Sequence, residues 1–188
     1  MTDETRRALD ALRHGKVVLY PTDTLYGLGA DATNPDAVDA LLRLKGRSAS
    51  QPISIALSST EEVEPLARLS EEARAFTRTH LPGPYTLLVH PSPLARRTLA
   101  PSIVSAAPTL GIRIPDHPLA RELARSLGPI TATSANRHGA SPARTPAEAR
   151  RAFGRELAAY LESPPAPTGQ PSTLVDLTGP TPKMRPRA

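Results

Sequence analysis

Three loop segments carry residues whose types and spacing suit chemistry on an anionic ligand. The first, PTDTLYGLG (21–29), presents the Thr22, Thr24 and Tyr26 hydroxyls beside glycines that let backbone amides approach a ligand. The second, Lys45-Gly46-Arg47, sets two cations two positions apart at the end of a predicted helix. A lysine point charge and an arginine fork both match phosphate oxygens. The third, Thr133-Ser134-Ala135-Asn136, leaves a predicted strand and offers hydroxyl and amide groups that can bond a polar ligand without adding charge. Each segment also has a plain structural reading: a glycine-supported turn, cations complementing a helix dipole, and small residues capping a turn. Arg113, inside the apolar strand GIRIP, resists such a reading, because a buried guanidinium needs a partner. A carboxylate of the protein or one of a ligand can pair with it, and the ligand is the favoured partner here.

The elements that must position these loops follow from pattern and punctuation. Helices are predicted over 3–14 (capped by Thr2 or Asp3, ended by Gly15), from Asn34-Pro35 to 44, near 60–68, over 70–80, over 117–128 and over 145–161. Strands are predicted at 16–20, 52–57, 85–90, 110–114, 129–133 and 173–178. Residues 21–31 and the tail from 181 are left as loops. Strands and helices interleave throughout, so the expectation is one α/β domain, residues 1–188, on a mixed sheet. SPPAPTGQP (163–171) reads as a surface loop rather than a domain boundary. Ligands in open α/β sheets gather beyond the carboxyl ends of strands, and the first and third loops occupy such ends.

Composition narrows the chemistry. With no cysteine in 188 residues, a thiol nucleophile, a disulfide framework and Cys-ligated metal centres are excluded. Two phenylalanines, four tyrosines and no tryptophan make poor base-stacking platforms. The net charge of +5 points to phosphates, nucleotides or RNA, with solubility as the bland alternative. A chain of this length buries roughly 70% of its unfolded surface and needs no staple. No apolar run approaches the roughly 18–20 residues of a bilayer span, and the charged, amphipathic N-terminus has no signal-peptide core, so a soluble cytoplasmic protein is expected.

Several familiar motifs fail on context. GLGADA (27–32) has the letters of a dinucleotide fingerprint, but six residues separate it from its strand and no acidic residue follows at ribose distance. No P-loop, G-x-S-x-G or H-E-x-x-H is present, and His14, His80, His90, His117 and His138 never pair at ligand spacing. His117 and His138 are accordingly read as ordinary surface residues.

PTDTLYGLG, KGR, PGPYTLL, GIRIPDHP, TATSAN and PSTLVDL, in this order, closely resemble the YrdC/Sua5 family of threonylcarbamoyl-AMP synthases. The resemblance runs from about residue 8 to 187 and suggests the short, single-domain form. It implies a twisted α/β sheet with a basic concave cavity, and a reaction of L-threonine, bicarbonate or CO2, and ATP. The products would be threonylcarbamoyl-AMP and pyrophosphate, the first step of the threonylcarbamoyl-adenosine modification of tRNA. By the same resemblance, Thr24, Arg113, Thr133 and Ser172 would contact threonine, with Arg113 holding its carboxylate. Lys45, Arg47, Ser134 and Asn136 would face the phosphates and the reacting centre. Gln51, Thr109, Ala135, Ser141 and Arg185 would lie on the nucleotide side. Mg2+ would arrive on ATP, since no carboxylate cluster is evident, and no redox cofactor or metal site is expected. The implied partners are the substrates and, downstream, tRNA or the tRNA threonylcarbamoyl-transferase machinery, with no membrane.

The chain departs from the family pattern where Ser48 and Gln51 replace a proline and a lysine or asparagine, where the tail reads R-P-R, and where SPPAPTGQ replaces a glycine-rich stretch. Two other readings share these features: an RNA-binding, translation-associated module, and a paralogue that makes a carbamoyl adenylate from carbamoyl phosphate.

Overall fold

A computed structural model describes residues 1–48, 51–105 and 107–186. The first half runs α1 (Asp3–Arg13), β1 (Val18–Tyr20), β2 (Gly27–Gly29), α2 (Pro35–Lys45), β3 (Ser54–Ala56), α3 (Val63–Leu66), β4 (Ala67–Arg68), α4 (Glu71–His80) and β5 (Tyr85–Pro91). The second runs α5 (Pro93–Thr98), α6 (Pro101–Val104), β6 (Leu110–Arg113), α7 (Pro118–Leu127), β7 (Ile130–Ser134), α8 (Pro146–Phe153), β8 (Ala159–Tyr160), β9 (Thr173–Asp176) and β10 (Lys183–Arg185).

Local chemistry sets most boundaries. The Thr2 hydroxyl accepts the Thr5 amide to start α1, and Asn34 Oδ1 accepts the Asp36 and Ala37 amides to start α2. Gly46 ends α2 at φ 65°, a left-handed conformation that glycine adopts without cost.

The strands form one mixed sheet in the order β10-β9-β5-β6-β3-β7-β2-β1-β8, with β4 beside β5. This twisted, unclosed sheet with flanking helices is the α/β architecture expected from the interleaved pattern. Its two faces differ sharply. One carries Leu19, Leu28, Ile55, Leu87, Val89, Leu110, Ile112 and Val175, which join Val38, Leu41 and Phe153 of the covering helices in the main core. The other carries Val18, Ala56 and Ile130 at one end, packed under Leu9 and Leu12 of α1 and Leu119 and Leu123 of α7. Beyond the reach of those two helices this second face turns small and polar.

Five expectations are corrected. Residues 21–31 are not all loop, because Gly27–Gly29 pairs with both β1 and β7. The helix over 145–161 stops at Phe153: Gly154 leaves the helix at φ 54°, ψ −120°, and the chain returns as β8 alongside β1. The 60–68 helix breaks at Ala67, which extends to pair with Pro91. The tail forms β10, an edge strand on β9, and two short helices, α5 and α6, occupy a stretch where the sequence predicted no element.

Candidate active site

A cavity of about 370 Å³ opens on the small, polar part of the second sheet face. Its floor is set by strand parity, since residues two apart on a strand share a face. Ala132 and Ser134 of β7, Gly111 and Arg113 of β6, Thr86 and Leu88 of β5, and Ser54 of β3 all point into it. Register aligns them across strands: Gly27 opposite Ser134, Ser54 opposite Ala132, Leu88 opposite Gly111. Side chains this small leave a hollow where a larger set would meet a covering helix. Gly111 is required sterically, because a Cβ there would stand 2.3 Å from the Ser54 hydroxyl. Tyr20 lies flat against β2, where a Cβ on Gly27 would come within 3.0 Å of its ring. Its hydroxyl donates to the Thr131 carbonyl at 2.9 Å.

One end of the cavity is built around Arg113. Its Nη2 donates to Asp23 Oδ1 at 2.9 Å and to Thr24 Oγ1 at 2.8 Å. Of the two partners left open for Arg113, a carboxylate of the protein is the one present, and it occupies only Nη2. The sequence reading passed over Asp23, although it is the one carboxylate between Thr22 and Thr24 in the first loop. The pair is not saturated, since Arg113 Nε and Asp23 Oδ2 are buried without hydrogen-bond partners. Burial pushes the Asp23 carboxyl upward while Arg113 opposes that shift, and burial lowers the guanidinium while Asp23 holds it up. Thr22 braces the loop, donating to the Leu25 carbonyl at 2.6 Å and accepting the Thr24 and Leu25 amides. Ser172 also lines this end, its hydroxyl 2.7 Å from that of Thr86.

Arg47, Thr109, Thr133 and Ser134 line the cavity elsewhere. Arg47 Nε donates to Gln51 Oε1 at 3.1 Å, which pins the guanidinium against the loop that follows it; partial burial lowers its affinity for a proton. Lys45 stands behind this wall, 2% exposed. Its Nζ donates to the Ser134 carbonyl at 2.5 Å and the Asn136 carbonyl at 2.8 Å, with Asn136 Oδ1 at 3.4 Å. Ser134 Oγ in turn donates to Asn136 Oδ1 at 2.6 Å. The second and third loops are thus one unit, with Lys45 cross-linking the turn that carries Ser134 and Asn136. Burial first, and the neighbouring Arg47 charge second, bring Lys45 down to about 7 from its usual value near 10.5.

Other residues singled out from sequence lie apart. Ala135, Asn136 and Ser141 line a second cavity of about 260 Å³ behind the Ser134–Asn136 turn, together with Arg137 and Glu148. Gln51 reaches the main cavity only through Arg47. Arg185 sits on the outer hairpin, half-exposed, donating to Asp176 Oδ2 at 2.7 Å. His117, read as a surface residue, is fully buried. Among the described residues no group of three His, Asp or Glu could hold a metal ion, and no helix is long and apolar enough to cross a membrane.

The sequence model of the Sua5/YciO/YrdC family, described as telomere recombination, matches residues 10–186. A relative from Mycobacterium tuberculosis is 39% identical over 94% of this chain and 80% of its own length. The threonylcarbamoyl-AMP synthase of Thiobacillus denitrificans is 38% identical over 88% of this chain and 87% of its own. Among solved structures, Sua5 of P. abyssi complexed with L-threonine superimposes with a TM-score of 0.86 at 33% identity. That match covers 96% of this chain and 52% of the Sua5 chain, so the present chain spans about half the length of that relative.

Proposed function

Because this chain belongs to the Sua5/YciO/YrdC family, we propose that it is a nucleotidyltransferase making threonylcarbamoyl-AMP and pyrophosphate from L-threonine, bicarbonate or CO2, and ATP. The observation that carries the reading is a single cavity holding two different anion sites. At one end Arg113, Thr24 and Ser172 suit an amino acid. Elsewhere Arg47 and Ser134, backed by Lys45, suit phosphate. A binder of one small anion needs one such site; a two-substrate condensation needs both in one chamber.

In this mechanism the threonine amine adds to CO2, losing a proton to give a carbamate. A carbamate oxygen attacks the α-phosphorus of ATP, the new O–P bond forms, and the bond to the β-phosphate oxygen breaks to release pyrophosphate. Arg113 holds the threonine carboxylate through Nη1, since Nη2 is spent on Asp23 and Thr24 and Nε is buried. Thr133 and Ser172 orient the amino acid, and Thr109 serves the nucleotide. Holding reactants in line contributes up to about 7–11 kcal/mol when alignment is near ideal. Arg47 faces the charge that develops on the phosphate, and Lys45 keeps the Ser134–Asn136 turn in place beneath it. Among the described residues there is no cage of carboxylates, and Asp23 is engaged with Arg113, so Mg2+ enters as part of the substrate on the triphosphate. The adenylate product is a mixed anhydride prone to hydrolysis, which suits prompt transfer to tRNA through a threonylcarbamoyl-transferase partner. Gln51, Ala135, Ser141 and Arg185 are assigned to the nucleotide side, and Asn136 acts on the reacting centre through Lys45 and Ser134.

The test is pyrophosphate release from ATP with bicarbonate and Mg2+, surveyed over the twenty amino acids. Release that depends on threonine alone is expected. Folded, ATP-binding protein that releases none with any amino acid would refute the activity. Release with carbamoyl phosphate in place of threonine and bicarbonate would move the assignment to carbamoyl-adenylate formation.

A further inference from the structure

We propose that His117 is a positioning residue for threonine, anchoring residues 163–171 as a strap that sets the wall of the Arg113 pocket. The proposal rests on the two-substrate reading above for its kinetic part, and on geometry alone for the anchoring. His117 leads into α7 from the strand that carries Arg113, and it is fully buried. Its Nε2 lies 3.1 Å from the Pro165 carbonyl and 3.3 Å from the Ser163 carbonyl. Two acceptors at one nitrogen require that nitrogen to carry the proton. The other nitrogen, Nδ1, is buried with no hydrogen-bond partner. A histidine held this way is costly for the core, where an apolar ring would fill the same space with no stranded polar atom. What the imidazole gives in return is the grip of Nε2 on two carbonyls of a proline-rich segment with little secondary structure of its own.

The far end of the strap is tied to the substrate loop. The Thr168 amide donates to the Asp23 carbonyl at 3.2 Å, and the Gly169 amide donates to the Thr24 carbonyl at 2.8 Å. Gly169 makes that turn at φ 81°, where a side chain is strained. The strap then delivers Pro171 and Ser172 into the cavity wall beside Thr24 and Arg113. The strap is therefore gripped at its start by His117, four residues beyond Arg113, and at its end by the residues that pair with Arg113. Releasing either grip loosens Asp23–Thr24 and the strap that leads into Ser172, whose hydroxyl Thr86 still holds, leaving Arg47 and Lys45 untouched.

Three variants and two readouts test this. His117→Phe keeps the ring and removes the donor, His117→Gln places an amide donor near the Nε2 position, and Gly169→Ala releases the strap from its outer end without entering the core. Amide hydrogen exchange at Thr168 and Gly169 should quicken in His117→Phe and Gly169→Ala and return toward the parent in His117→Gln. In the pyrophosphate assay, the threonine KM should rise about tenfold or more in the first two, with the ATP KM and kcat within about twofold. Exchange at both amides unchanged in His117→Phe would overturn the anchoring. Equal increases in threonine and ATP KM, or no rescue by glutamine, would overturn the positioning role. Should His117→Phe fail to fold, Gly169→Ala decides the kinetic claim and His117→Gln the anchoring. Parent protein inert with every amino acid would refute the proposed activity and the threonine role with it, while exchange still decides whether His117 holds the strap.

Discussion

Arg113→Gln separates what this arginine does for the fold from what it does for the substrate. Arg113 and Asp23 have side chains only 10% and 12% exposed, and they meet at 2.9 Å. Glutamine removes the charge and strands the Asp23 carboxylate, whose Oδ2 already lacks a partner. Breaking a buried ion pair from one side costs about 3–5 kcal/mol. Asp23 retains some access to water, so the loss should fall near the lower bound, about 3 kcal/mol. The double variant Asp23→Asn/Arg113→Gln removes the stranded charge and should recover most of that stability. It should not recover threonine. Truncating a buried charge-assisted contact costs about 2–5 kcal/mol, and 3 kcal/mol corresponds to roughly a 150-fold rise in threonine KM.

The assay is urea unfolding of the parent, both single variants and the double variant, beside threonine and ATP titrations of each. The pH dependence has a defined sign. Burial raises the Asp23 carboxyl above its unfolded value and Arg113 restrains that rise, so the rise is larger in Arg113→Gln. A group raised on folding contributes stability that is present below its unfolded pKa, near 3.8, and is lost as pH climbs through the folded value. The deficit of Arg113→Gln should therefore widen as pH rises out of the acid range and shrink as it falls. A double variant that regains threonine affinity along with stability would refute the reasoning, because Arg113 would then act only as a brace for Asp23.

Binding of a triphosphate near Lys45 and Arg47 should draw a proton onto Lys45, which stands at about 7 in the free protein. Calorimetric titration of ATP at pH 8 in buffers of different ionisation heat should show uptake approaching one proton, lost in Lys45→Met; no uptake between pH 7 and 9 would place the phosphates elsewhere. Arg47→Ala and Lys45→Ala should each lower pyrophosphate release by about a hundredfold or more, Arg47→Ala with an unchanged melting temperature; full turnover in both would remove them from the site. Gly111→Ala pushes a Cβ to 2.3 Å from Ser54 Oγ and should destabilise by about 1–3 kcal/mol as overpacking does. Ser54→Gly in the same chain should recover most of that loss in thermal melts.

The sequence by itself determined the elements whose signals are local. Thr2, Asn34 and Ser70 cap helices that begin where their side chains can take orphan amides, and β-branched and leucine-rich runs mark β1, β5 and β6. It also determined the chemistry available, since Lys45, Arg47, Arg113 and the threonines of the first loop are donors wherever they lie. Only tertiary structure decided what those donors face. Lys45 and Ser134 are 89 positions apart in sequence, and Arg113 and Asp23 are 90; such pairs are set by sheet order and register. β2, β8 and β10 are too short to have an alternation of their own and become strands because neighbouring edges offer unpaired amides and carbonyls. The cavity exists because Ser54, Gly111, Ala132 and Ser134 share one face of adjoining strands, and His117 is buried because a segment some 46 residues later folds over it. Period and capping act over a few residues and can be read along the chain, whereas contact between distant segments depends on how whole elements pack.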